Sequence, residues 1–383
     1  MTHHQGRHAQ EPQIGLERLI AAPRQAAGWG RTALLTNPSG VTRDLTPAAL
    51  ALGRAGIPLV KLFGPEHGVD GSGAPGEAPE AGQDGATGLP TSVLYHLTEE
   101  ETRQRLDGLD TLLIDLQDVG VRFYTYISTI RDVLRAAPTL PLRVVVLDRP
   151  NPIGFTVEGP PLRPEYRSFV GITQQLPLRH GLTIGEVARV LAAEEGAAVE
   201  VIETDAPDGW HAGREWVPSS PNLPDLLHLR LYPGACLIEA LDASEGRGTA
   251  LPFRQFGAPG MDAHALAERL NALNLGVTAR PAFFNPTTSK HQGERCAGVQ
   301  LHETGGSLRR ALPVGLALFA ALEEAGAKRN PDWLQKLLGV PADTVPSTPE
   351  SILHSLRGWQ DQGIQQALTL RPHWLYPREE NHL

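Results

Sequence analysis

Two side chains suited to proton transfer, Glu66 and His67, stand together in the run Gly64-Pro65-Glu66-His67-Gly68-Val69-Asp70-Gly71. A positioned carboxyl can protonate a leaving oxygen, and an imidazole beside it can set its charge state or hydrogen-bond a substrate. The glycines and proline fix the local backbone and add no bulk. The preceding run, Pro58-Leu59-Val60-Lys61-Leu62-Phe63, is short and apolar and reads as a buried strand. The pair therefore falls just past a strand's C-terminal end. Open parallel α/β sheets bind their ligands at that edge. The plainer alternative for Glu66 is a solvated loop residue.

The positioning elements follow from the periodicity. Strands are expected at 32–36, 58–63, 112–116 and 143–147. Between them come helical patterns at 46–55, from Thr98 (with Glu101 completing a capping box), and up to about Ala137. Continuous apolar strands alternating with helices predict βαβ units around a buried parallel sheet. Their C-terminal ends would deliver Asn37, then Glu66 and His67, then Gln117, Asp118 and Arg122, then Asp148, Arg149 and Asn151 to one rim. Residues 64–92 read as a long Gly/Pro-rich binding loop. It contains a literal G-x-G-x-x-G, Gly71 to Gly76, but no strand runs into it and Pro75 and Pro79 deny it a following helix. A dinucleotide site is therefore not expected there.

A Pro- and Gly-rich break near 150–168 divides the chain into a first domain, 14–165, and a mixed α+β second domain, 166–383, after a polar tail at 1–13. In the second part, Thr183 and Glu186 form a capping box that opens a helix to about Glu195, so Glu186 reads as structural. A strand at 199–203, helices near 262–274 and 307–325, and an alternating strand at 297–302 follow.

The candidate catalytic residues are Glu66, His67, Asp118 and Glu245. Candidate substrate contacts are Asn37, Arg122, Tyr124, Tyr126, Asp148, Asn151, Glu158, Arg179, His180, Arg247 and His291. Carboxylates, arginines and aromatic rings together suit a carbohydrate. Tyr124 and Tyr126 would point to different faces if both lay in a helix. Each cluster has a bland alternative: Asp148 and Arg149 as an ion pair closing the sheet, Asp118 as a helix-start residue, Ser244-Glu245-Gly246-Arg247-Gly248-Thr249 as a surface turn.

The 383 residues carry 41% hydrophobic and 20% charged side chains, a globular balance, and a net charge of −9, which disfavours nucleic acid. Cys236 and Cys296 read as reduced core thiols. No apolar run is long enough for a membrane span. No metal or cofactor signature occurs: H-E-x-x-H, the Walker loop and G-x-S-x-G are all missing. His3, His4 and His8 sit in the polar tail. No secretory core follows the start, so a cytoplasmic location is expected as written, with secretion open if the start is mis-assigned.

Several long motifs resemble the NamZ-type exo-β-N-acetylmuramidases, formerly a family of unknown function. These are Gly64 to Gly68, Ile114 to Ile127, Leu147 to Pro152, Pro177 to Glu186, Ser220 to Pro224, Ser244 to Thr249 and Ser289 to His291, in that order. The resemblance runs from about residue 14 to 375. It implies a Rossmann-like N-terminal domain, a smaller α/β C-terminal domain and a site in the cleft between them. It also implies release of N-acetylmuramic acid from the non-reducing end of peptidoglycan fragments, with Glu66 at the family's presumed catalytic glutamate. Leu182 and Leu223 stand where methionine is common in that family, and secreted relatives carry an export signal. A non-catalytic sugar- or muropeptide-binding module, or a hydrolase of another glycoside, would use the same two-lobed cleft.

Overall fold

The computed structural model describes residues 11–378 except 75, 78, 80, 212, 305–307, 309 and 346–348. The first ten residues of the expected tail, with His3, His4 and His8, lie outside the described residues, as does Pro75. Gln13 is anchored, its backbone N–H donating to Asp205 Oδ2 at 3.0 Å.

The first unit is built on β1 (Thr32–Thr36), β2 (Leu59–Gly64), β3 (Thr91–Val93), β4 (Thr111–Asp115) and β5 (Arg143–Leu147). Strands β6 (Glu158–Pro161) and β7 (Pro177–Arg179) pair with each other, and β8 (Glu200–Ile202) returns to the main sheet. The six strands run β3-β2-β1-β4-β5-β8, all parallel. This is the doubly wound order. Leu34, Leu62, Leu113 and Val145 pack with α1 (Gly15–Ala21) and α2 (Ala48–Arg54). Ala33, Leu35, Phe63, Leu112, Ile114 and Val146 face the other way, toward α3 (Glu99–Leu106), α4 (Thr125–Ala136) and α5 (Ile184–Glu195). With helices on both faces, the strand interiors are mostly apolar, with polar residues at the strand ends and Lys61 within β2, which is why these strands read as near-continuous runs.

The expected strands and helices of this half match to within a residue or two. Helix α1 and the short strands β3, β6 and β7 were not expected, the strands being too short to show a period. Because β8 pairs with β5, the sheet also takes in chain beyond residue 165.

The second unit holds α6 (Leu226–Ala235), β9 (Gln255–Ala258), α7 (Ala263–Ala272), β10 (Val277–Phe284), β11 (Cys296–Glu303), α8 (Leu312–Glu324), α9 (Pro331–Leu338) and α10 (Pro349–Thr369). Its antiparallel sheet has the order β10-β11-β9. Helix α8 is apolar on all sides and buried accordingly. Its observed start at Leu312 fits Pro313, which is tolerated only in a first turn. Helices α6 and α8 meet glycine to glycine: a Cβ on Gly315 would press into the backbone of Gly234. Cys236 and Cys296 are free, buried thiols.

Candidate active site

A cavity of about 960 Å³ opens between the C-terminal edge of the parallel sheet and the second unit. Glu66, His67, Tyr95, Tyr124 and Tyr126 line one side. Tyr232, Glu239, Glu245, Arg247, Lys290 and Trp333 line the other.

Glu66 projects from the turn after β2 and is half-buried. Its Oε2 accepts a hydrogen bond from Thr125 Oγ1 at 2.6 Å, and its Oε1 accepts from the Gly76 backbone N–H at 2.7 Å. Tyr95, just after β3, lines the cavity beside it. Burial first, then the Glu66 charge, drives the Tyr95 phenol pKa upward. The turn itself is bound together. His67 has φ 72° and its Nδ1 lies 2.8 Å from the Gly73 carbonyl. A carbonyl only accepts, so Nδ1 carries the proton. Nε2 is left as an acceptor, 3.5 Å from Ser220 Oγ. Gly68 has φ 83°, and a Cβ there would strike the Pro79 ring. Gly73 and Gly76 thus lie back over the turn. Gly73 holds the imidazole and Gly76 the carboxylate.

Tyr124 and Tyr126 do not obey the helical spacing expected of them. Tyr124 is the extended residue that caps α4, φ −77° and ψ 123°, so only Tyr126 lies in the helix. Their rings sit 4.5 Å apart, and both hydroxyls reach Ser219. Asn37 lies beneath, donating from Nδ2 to Tyr126 Oη at 2.7 Å and to the Ser219 carbonyl at 3.0 Å. It is a support for the aromatic wall and does not line the cavity.

The second unit contributes a chain of charge. Glu239 pairs with Arg247, Arg247 Nε lies 3.2 Å from Glu245 Oε1, and Glu245 Oε2 lies 3.1 Å from Lys290 Nζ. Lys290 spends its donors on the carbonyls of Ile238, Glu239 and Ala243. Trp333 Nε1 donates to Glu239 Oε2 at 3.3 Å. His291 turns away from the cavity toward the Asp242 carbonyl (2.6 Å) and Glu294 (3.1 Å).

Seven residues expected at the site are buried in other networks. Asp118 accepts from the Gly120 N–H at 2.7 Å and faces His180 Nε2 at 3.2 Å. His180 accepts on Nδ1 from the Leu182 N–H, so Nε2 carries its proton. Arg122 is 1% exposed and donates to the carbonyls of Pro160, Leu176, Leu337 and Leu338. Burial without a carboxylate lowers its pKa to about 9. Asp148 accepts from Thr183, Tyr376 and the Gly185 N–H. Asn151 ties Leu182 to Ile153. Glu158 pairs with Arg179 at 2.5 Å across β6 and β7 and accepts the Ala311 and Leu312 N–H groups at the start of α8. Arg149 pairs with buried Asp115, not with Asp148. A position on the rim gives no direction, and these side chains turn into the protein.

Two family models cover most of the chain. Residues 32–227 match "Exo-beta-N-acetylmuramidase NamZ, N-terminal" and residues 230–345 match its C-terminal counterpart. The chain is 39% identical over 322 residues to the peptidoglycan β-N-acetylmuramidase NamZ of Bacillus subtilis (strain 168), covering 82% of this chain and 77% of that one. The chain belongs to the NamZ exo-β-N-acetylmuramidase family.

Two crystal structures of DUF1343 family proteins from Bacteroides fragilis share the NamZ-family fold seen here. One superposes with a TM-score of 0.82 at 29% identity over 96% of this chain and 99% of its own. The other gives 0.76 at 25% identity over 96% and 100%. The two NamZ-family models meet between residues 227 and 230, just at the start of α6. Sequence reasoning missed Tyr95, Thr125, Glu239 and Trp333 as parts of the NamZ-family cleft. For Glu239 a signal existed: it is a lone charge within the apolar run Cys236-Leu237-Ile238-Glu239-Ala240-Leu241, and a buried charge calls for a partner.

Proposed function

We propose that this cleft hydrolyses the terminal β-N-acetylmuramyl bond of peptidoglycan-derived oligosaccharides, with Glu66 as the general acid. The observation that carries the reading is the mounting of Glu66. Thr125 and Gly76 hold its carboxyl at the wall of a cavity large enough for a sugar, with Tyr95 lining the same wall. Family membership makes the chain a glycosidase. The peptidoglycan substrate is supported by the relative from Bacillus subtilis.

A glycosidase normally sets two carboxyl groups across the scissile bond. Among the described residues, Glu239 and Glu245 are the other carboxylates lining the cavity. Asp118, Asp148 and Glu158 are not among its walls, so the second carboxyl role falls to the Glu239–Glu245 pair. His67 acts through the loop: it ties Gly73 to Ser220 and so positions the turn that bears Glu66.

Arg247 is the group we assign to the lactyl carboxylate that distinguishes muramic acid from glucosamine. Lys290 has its donors engaged, whereas Arg247 uses Nε and Nη2 on glutamates and lies over the Phe253 ring, with no hydrogen bond from Nη1 among the described residues. The test compares a chromogenic muramide with the matching glucosaminide. Replacing Arg247 by Gln should raise KM for the muramide about tenfold or more and leave the glucosaminide little changed. Equal loss on both contradicts the assignment.

A further inference from the structure

Glu66 offers two oxygens, and their partners differ in kind. Oε1 accepts the Gly76 backbone N–H at 2.7 Å, and an amide N–H can only donate. Oε2 accepts from the Thr125 hydroxyl at 2.6 Å, and a hydroxyl can donate or accept. A general acid has to hold a proton before it can give it up. On Oε1 that proton would meet the amide hydrogen. On Oε2 it meets a group able to reverse its role. Thr125 therefore singles out Oε2 as the oxygen that carries the proton.

The helix holds this hydroxyl in place. Thr125 is the first helical residue of α4, after the extended Tyr124. The next two residues, Tyr126 and Ile127, are buried and fix that turn. The β-branch leaves the Thr125 side chain few rotamers. Thr125 is half-buried and lines the cavity together with Glu66. Negative charge left on Oε2 also falls at the N-terminal end of α4, where the helix dipole favours an anion.

We infer that Thr125 is a positioning residue for the proton transfer, an inference that rests on the reading of Glu66 as the general acid. While Oε2 holds its proton, the bond to Thr125 is one between neutral groups. As the C1–O bond of the muramyl unit breaks, that proton passes to the departing oxygen and its electron pair stays on Oε2. The Thr125 hydroxyl then donates to a carboxylate, and such charge-assisted bonds are about twice as strong as neutral ones. Water supplies the hydroxyl at C1, and its remaining proton restores the acid. The Thr125 bond thus strengthens as the transition state forms, so its loss belongs in kcat and not in KM.

The test uses the full chain, two substrates and two variants of Thr125. One substrate is the disaccharide of N-acetylmuramic acid β-linked to N-acetylglucosamine, whose leaving oxygen needs the proton. The other is a dinitrophenyl β-N-acetylmuramide, whose leaving group departs as a stable anion. Thr125→Val keeps the β-branched shape and removes the hydroxyl. It should lower kcat for the disaccharide roughly 10- to 100-fold with KM within about twofold of the parent's. The kcat/KM for the dinitrophenyl substrate should stay close to the parent's. Thr125→Ser, which keeps the hydroxyl, should recover most of the disaccharide rate. Equal loss on both substrates, an unchanged disaccharide rate, or no recovery with serine overturns the role of Thr125. A parent protein that hydrolyses neither substrate, or a Glu66→Gln variant that cleaves the disaccharide as the parent does, overturns the reading of Glu66 itself.

Discussion

Asp148 ends β5 fully buried, with Thr183, Tyr376 and two backbone N–H groups donating to it. Burial, only partly offset by these bonds, raises its pKa from 3.8 to about 7. Between those values the folded chain keeps a proton that the unfolded chain has released. Stability should therefore fall as pH rises through that window, by up to about 1.4 kcal/mol per unit, with no further contribution above it. Urea melts at pH 5 and pH 7 measure the slope, and Asp148→Asn should flatten it. An unchanged slope in the variant contradicts the assignment. Arg122 makes a second residue-scale prediction. It fastens β6, the chain before β7 and the end of α9 through four carbonyls. Arg122→Lys should cost about 3 kcal/mol of stability yet leave KM for a muramide within about twofold. A KM effect without a stability loss would return Arg122 to the substrate. Both side chains carry the residue types of a sugar site. Nothing in one chain's spacing distinguishes a rim carboxylate that faces the cleft from one that faces the core.

At the scale of elements, the packing of α6 on α8 depends on the facing Gly234 and Gly315. Gly315→Ala should force the helices apart and cost about 3 kcal/mol. Because Tyr232 and Cys236 on this side also line the cavity, activity near the melting transition should fall in step. Thermal unfolding at unchanged Tm would contradict the close approach. The same scale explains what could be read in advance. The long strands β1, β2, β4 and β5 are apolar through their interiors, Lys61 excepted, because helices cover both faces, and the helices opened by Thr98 and Thr183 announce themselves by capping boxes. Strands of three or four residues such as β3, β6 and β7 carry no period, and α6 hides behind an internal Pro233. Tyr95 was lost with β3, which places it. The glycine-rich segment 71–76 was legible as a loop, but its backbone partners, His67 and Glu66, emerge only once it folds back.

At the scale of the molecule, two units meet around one groove. The parallel sheet brings Glu66 and an aromatic wall, and the second unit brings the paired charges of Glu239, Arg247, Glu245 and Lys290. No helix among the described residues is long and apolar enough to cross a membrane. Of the site residues expected from sequence, Glu66, His67, Tyr124, Tyr126, Glu245 and Arg247 line the groove. The central claim is that Glu66 carries the proton transfer without being needed to hold the sugar. Glu66→Gln tests it most directly, with turnover of a chromogenic muramide measured beside calorimetric affinity for an N-acetylmuramyl disaccharide. Turnover should drop by about 10²-fold or more while affinity stays within a few-fold of the parent's. Turnover near the parental rate would contradict the account, as would a parent protein that binds the disaccharide and never cleaves it.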